Sequence, residues 1–156
     1  MLRLPPGDTM PNSRLPVLIY TQAFKGGAPE LDRLLPANGW GGVWHNGIYD
    51  FDHFHSNAHE VLGIARGTAT VRLGGPVGET VTVQAGDVLV LPAGTGHRLV
   101  ESRGDLVVVG AYPPGQERYD ICRERSPEAE LRIRRVRLPL TDPVRGPDGP
   151  LVRLWV

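Results

Sequence analysis

A chain of 156 residues with 40% apolar and 22% charged side chains can bury one core and solvate one surface, which excludes a disordered chain and leaves no room for two independent catalytic domains. Lysine plus arginine equals aspartate plus glutamate at 17 each, so no net field gathers polyanions, and neither nucleic acid nor a membrane surface is expected as a partner. Glycine (20) and proline (15) are scattered without a period, which suits short strands joined by tight turns, and the lone Cys122 excludes an internal disulfide and fits a reducing, cytoplasmic setting.

Residues 1–14 are rich in proline and polar groups and read as an arm, mobile or laid on another surface. Pro5, Pro6, Gly7 and Asp8 interrupt what would have to be the apolar stretch of a signal peptide, and no run approaches the roughly 18 apolar residues of a membrane span. Residues 17–24 predict a strand. After Gly26 and Gly27, Pro29 stands at a plausible first helical position with leucines at helical spacing, so a short helix is expected over 29–35, ended by Pro36. Residues 38–42 form a turn cluster.

From Val43 onward short β-type runs follow one another over 43–55, 59–66, 68–73, 79–84, 87–91, 97–103 and 105–112. Thr68-Ala69-Thr70-Val71-Arg72-Leu73 and Glu79-Thr80-Val81-Thr82-Val83 alternate cleanly, as strands with one buried face do, and residues 74–78 connect them as a hairpin. Close spacing with almost no helix between points to a sandwich or barrel. Beyond it, Ser126 is an N-cap type residue followed by early acids, which predicts a helix over 127–135; 142–150 is turn-rich and 151–156 is expected to add an edge strand. One domain is expected over 1–156, with the barrel core at 43–112 between an N-terminal region (1–42) and a C-terminal extension (113–156).

Four of the five histidines fall between residues 45 and 59. His53 and His55 are two apart, so on an extended strand both imidazoles share one face. Glu60 follows after a short turn and can offer a carboxylate to the same interior, and His97 follows the proline- and glycine-stiffened loop Pro92-Ala93-Gly94-Thr95-Gly96. Imidazoles with one carboxylate suit a divalent transition metal (Fe, Mn, Ni, Zn, Co or Cu) and disfavour calcium or magnesium, which take mostly oxygen. Such an ion is a Lewis acid, and an apolar wall including Phe51, Leu62 and Ile64, with Tyr49 as its polar exception, would strengthen its effect. His59 is the rival ligand: it neighbours Glu60, and adjacent strand residues face opposite ways, so one of the two points outward.

Gly47-x5-His53-x-His55-x4-Glu60-x6-Gly67 and Gly86-x5-Pro92-x-Gly94-x2-His97 together resemble the two signature motifs of the cupin superfamily, in order and at their usual spacings. The stretches 38–42 and 110–116 further resemble the small bacterial YjlB-like monocupins, whose activity is not established. The resemblance implies an all-β fold, a double-stranded β-helix or jelly-roll barrel with short flanking helices, and selects Glu60 over His59 as ligand. Fold does not dictate reaction, so dioxygenase, isomerase and decarboxylase chemistries on a small polar molecule enter through the resemblance alone, with a non-catalytic metal or small-ligand sensing module as the alternative. The second motif often closes with asparagine where this chain has Glu101; on a continuous strand Glu101 would face inward with His97, a possible acid or base beside Tyr49.

Other marked residues read plainly. His45 is a surface residue, Cys122 a buried inert thiol, and Asp87 a turn residue that binds backbone amides. Arg132 to Arg137 make a solvated helix face. Trp40, Trp44 and Trp155 are core or interface anchors, and the N-terminal arm with exposed tryptophans predicts a homodimer whose copies cover each other's sheet edges.

Overall fold

The structure is a computed structural model and describes residues 1–156. Six strands make one antiparallel sheet: β1 (Leu18–Tyr20), β2 (Gly41–Asn46), β3 (Glu60–Leu73), β4 (Glu79–Gln84), β5 (Val88–Leu91) and β6 (His97–Tyr112). The order is β1-β5-β3-β6-β2, with β4 also paired to β3. Three helices flank it: α1 (Gly27–Ala37), α2 (Pro127–Arg135) and α3 (Pro150–Leu154). No helix is long and apolar enough to cross a membrane.

The expected strands 59–66 and 68–73 are one strand, β3, and 97–103 and 105–112 are one strand, β6. The glycines that promised to end them bend them instead. Gly67 sits at φ +80° and Gly104 at φ +70°, conformations in which a side chain would be strained, and a Cβ on Gly67 would lie 2.5 Å from the Arg103 carbonyl oxygen. The two strands stay paired from Val61↔Ala111 to Leu73↔His97, with register shifts around the bend.

Alternation along these strands sorts two cores. Leu62, Ile64, Leu89, Leu91 and Val108 fill the barrel, whereas Val61, Val88, Val90, Val109 and Ala111 pack outward. That outer face is buried too, under Leu31 and Leu35 of α1 and under Leu151 and Trp155 near the C-terminus. Leu31 lies against β3 at Gly63, where a Cβ would come within 2.6 Å of its Cδ1.

Several expectations are corrected. Residues 47–59 are not strand: β2 stops at Asn46 and the chain continues irregularly, touching the sheet through an isolated bridge from His53 to His97 and the C-terminal extension through one from Phe54 to Cys122. Helix α1 runs past Pro36 to Ala37, because a proline in the last turn forfeits only one hydrogen bond there. Residues 150–154 are helix α3, not an edge strand; Pro150 takes the first turn, and buried Asp142 accepts a hydrogen bond from the Leu151 amide (3.1 Å). Helix α2 stands where expected, with the Ser126 hydroxyl accepting from the Ala129 amide (3.0 Å).

The tryptophans are not exposed. Trp40 and Trp155 are buried, their indoles donating to the carbonyls of Thr141 (3.1 Å) and Pro16 (2.8 Å), and Trp44 is half-buried against the cavity described below. The N-terminal arm lies on its own barrel: Leu2 bridges Val17, and Leu4 and Met10 are buried. Trp40, Trp155, Leu4 and Met10 therefore anchor within their own chain, while much of the arm stays exposed.

Replacing Gly63 with alanine should cost about 1–3 kcal/mol through overpacking against Leu31. In a Leu31→Ala background the same change should cost much less, and urea unfolding of the four proteins in the cycle measures the difference.

Candidate metal centre

Three buried histidines, His53, His55 and His97, offer ligand atoms that all lie within 4.8 Å of one another. The backbone brings them together from two directions. His53 and His97 form a bridge, with amide-to-carbonyl bonds of 3.2 and 2.9 Å, and the His55 carbonyl accepts from the Gly94 amide (2.8 Å), which stitches the 92–96 loop to the histidine segment. Gly94, at φ +97°, could carry no side chain, because a Cβ would fall 2.6 Å from the Asn12 carbonyl oxygen.

Each histidine ring is held from behind. Nδ1 of His53 bonds the Phe51 carbonyl (3.0 Å), Nδ1 of His97 the Thr95 carbonyl (2.9 Å), and Nδ1 of His55 the Asp120 carbonyl. A carbonyl only accepts, so each Nδ1 carries a proton, and in the neutral form each ring presents an Nε2 lone pair. Glu60 meets them: its Oε1 lies 3.3 Å from Nε2 of His55 and 3.4 Å from Nε2 of His97. Oε1 is buried and has no aligned hydrogen bond, whereas Oε2 accepts one from the Tyr112 hydroxyl (2.7 Å).

Electrostatics mark the same point. Burial, reinforced by the neighbouring His97 and His55, pushes the His53 imidazole down to about 3. At His55 burial also opposes protonation, but the Glu60 carboxylate beside it prevails and raises its affinity for a proton. Burial works against the Glu60 charge, yet His55 and His97 outweigh it and hold the carboxyl below its ordinary range. Nitrogen lone pairs and a carboxylate oxygen converging in a dry interior are stabilised by a cation among them, and this donor set fits a divalent transition ion.

The histidines open on a cavity of about 240 Å³, walled on its apolar side by Trp44, Ile48 and Leu62 and at its mouth by Tyr49 and Tyr119. No lysine or arginine lines it. Tyr49 is half-exposed and stacks on Phe51, with ring centroids 4.9 Å apart. Arg72 pairs with Asp52 (2.6 Å) and so ties the segment leading into His53 to the barrel.

Glu101 does not face this cavity. Leu99 pairs with Val71 but Glu101 pairs with Thr70, so Val100 is an extra residue in a β-bulge that reverses the alternation after His97. Glu101 consequently lies exposed on the outer face, 3.1 Å from Arg103. The inward orientation expected for it is corrected on that account.

His59 faces away as well. It is buried on the outer side of β3 beside Trp155, with ring centroids 4.8 Å apart, and its Nδ1 accepts the Ala93 amide (2.9 Å), so it braces the loop that leads to His97. His45 is exposed and pairs with Asp32 (2.7 Å), and Asp87 accepts the amides of Gln22 and Gln84. Cys122 is a half-buried free thiol whose pKa burial pushes up.

Sequence reasoning missed Tyr112, Tyr119 and Asp120. Tyr112 was within reach, because Val108, Gly110 and Tyr112 share the inward face of β6. Nothing local points to Tyr119 or Asp120. Their segment packs on the histidine segment, where the Asp120 carboxylate accepts from the amide (2.6 Å) and the hydroxyl of Ser56, and Tyr119 lines the cavity edge-on to His55 at 4.9 Å.

The cupin domain family model matches residues 42–111. Over 144 residues the chain is 35% identical to the uncharacterized protein YjlB of Bacillus subtilis, a match that covers 90% of this chain and 86% of that one. This chain is a YjlB-like cupin. Among solved structures this cupin is similar to vicilin from tomato (19% identity, 77% of this chain and 33% of that one, TM-score 0.44). It is also similar to acireductone dioxygenase from Bacillus anthracis with a cadmium ion in its active centre (20%, 68% and 53%, TM-score 0.34).

His59 gives the YjlB-like cupin an acid-sensitive brace. Burial pushes its pKa down to about 4 in the folded state, against about 6.5 unfolded, so the unfolded chain binds a proton that the folded one refuses. Its stability contribution is therefore complete above about pH 6.5 and should fall by about 3 kcal/mol by pH 4. Urea midpoints measured across that window should slope less in His59→Gln than in the wild type; equal slopes would refute the assignment.

Proposed function

We propose that this cupin is a metal-dependent enzyme in which His53, His55, His97 and Glu60 hold one divalent transition ion and a small oxygen-bearing organic molecule binds beside it. The observation that carries the reading is the locked orientation of the three imidazoles. Each Nδ1 is committed to a backbone carbonyl, which turns the three Nε2 atoms toward the interior with the imidazole ligand atoms within 4.8 Å of one another and Glu60 Oε1 beside those of His55 and His97. Outer hydrogen bonds of this kind fix tautomer and ring orientation in metal-binding histidines.

When bound, the ion would supply Lewis acidity toward an oxygen of the substrate. The chain's own groups do the rest. Trp44, Ile48 and Leu62 exclude water from one side of the reacting molecule, and the hydroxyls of Tyr49 and Tyr119 stand at the mouth, where they can orient it or exchange a proton with it. The cavity is smaller than the roughly 300–1,000 Å³ of common ligand pockets, which favours a small substrate. A wall without lysine or arginine offers no second cation, which favours a molecule with at most one negative charge. Dioxygenase, isomerase and decarboxylase chemistry all fit such a site. A homodimer belongs to the same reading, supported by β4, which pairs only with β3 and leaves its other edge open.

Protein purified without chelator should carry about one equivalent of metal per chain, and His55→Gln and His97→Gln should each reduce this to below roughly a tenth. A wild-type chain that stays below that level after incubation with iron, nickel, manganese or zinc would overturn the metal assignment. With metal loaded, a panel of hydroxy acids, diols and dicarbonyls should include one that is consumed, read by product analysis and oxygen uptake. Binding without turnover across the panel and across metals would reassign the protein as a ligand-binding module.

A further inference from the structure

The two oxygens of Glu60 live in different surroundings. Oε1 faces the histidine nitrogens without an aligned hydrogen bond, while Oε2 accepts the Tyr112 hydroxyl at 2.7 Å. Tyr112 has no choice in the matter. The Trp44 indole Nε1, which can only donate, lies 2.7 Å from the same hydroxyl oxygen, so the phenolic proton must point to Glu60. Both rings are held in place: Tyr112 is fully buried and stacks on Tyr119 with centroids 4.6 Å apart, and the Trp44 indole lies on β6 at Gly110, where any Cβ would overlap it.

We propose that Trp44 and Tyr112 are a positioning pair that commits one oxygen of Glu60 to a hydrogen bond and leaves the other as a single-oxygen ligand to the metal. This rests on the ligand set proposed above and deepens it. A carboxylate with both oxygens free can chelate an ion and occupy two coordination positions. Capping Oε2 limits Glu60 to one, which keeps a position available on the cavity side for the small molecule. Neither residue belongs to the histidine and glutamate motif, and both reach the site from paired strands, Trp44 on β2 opposite Gly110 on β6.

Cobalt(II) titrated into metal-free protein reports the coordination through its visible absorption bands. Tyr112→Phe keeps the ring and its stack and removes only the hydroxyl. It should alter the band shape and lower the intensity, as added coordination does, and weaken zinc(II) affinity in chelator competition by about tenfold. Trp44→Phe retains the tyrosine and frees it to turn, so it should shift the bands in the same direction by less. It also serves should Tyr112→Phe not fold. Unchanged bands with zinc affinity within about twofold of wild type, in whichever of the two variants folds, would overturn the pair while leaving the four ligands standing. A wild-type chain that takes up no cobalt would overturn the ligand set itself, and the pair with it.

Discussion

The curl of the ribbon formed by β3 and β6 is the constraint on which the remainder depends. Glu60 opens β3, and His97 pairs with Leu73 at the strand's other end. A straight strand of that length would hold its ends roughly 45 Å apart. Yet the Glu60 carboxylate and the His97 imidazole are 3.4 Å from one another. The ribbon must therefore wrap until its ends meet across the interior, and Gly67 and Gly104 allow the wrap through positive φ angles, Gly67 also where a side chain would collide with the facing backbone. Without that closure there is no common point for the ligand atoms.

Closure also explains why so much of the sheet is buried on both faces. The inner face must line a barrel narrow enough to bring four side chains together, and the outer face is covered by α1 and the C-terminal residues. Parts of the chain remote from the motifs thereby shape the site. The 119–122 segment supplies the carbonyl behind His55 and a ring at the cavity mouth, and the Asp120 carboxylate is anchored in turn by Ser56. His59, excluded from the interior by strand alternation, braces the loop that delivers His97. Truncation of the C-terminal extension would disturb the centre although it contains none of the motif residues.

The electrostatics of the three buried histidines and Glu60 are those that the proposed cation would suit. One buried carboxylate faces imidazoles whose protons are engaged elsewhere, and its second oxygen is occupied by a phenol that is itself held by an indole. The backbone carbonyls behind the three imidazoles and the phenol on Glu60 Oε2 supply rigidity, while the unpartnered Glu60 Oε1 supplies affinity for what enters. The absence of basic side chains from the cavity wall makes such an ion the principal positive charge available to a bound molecule.

Much of this was legible from the residues themselves. Alternation in 68–73 and 79–83, glycine-rich turns and the spacing of three histidines and a glutamate are local properties, because side-chain direction on a strand follows position by two. They led to the all-β barrel and to the cluster of His53, His55 and His97, and the motif resemblance chose Glu60 over His59 as the residue that lines the cavity. What they did not settle required knowing which backbone groups pair. The bulge at Val100 turns Glu101 outward although its spacing from His97 predicts inward, because an inserted residue reverses alternation and leaves no mark in composition. Trp40 and Trp155, which read equally as core or interface anchors, lie in the core, since only the folded chain brings carbonyl partners to their indole nitrogens. Tyr119 and Asp120, more than sixty residues from His53 and His55 in sequence, reach the site only through the path of the C-terminal extension. A pattern repeated every second residue records which face a side chain takes; closure, bulges and returning segments are set by long-range pairing, which no local pattern encodes.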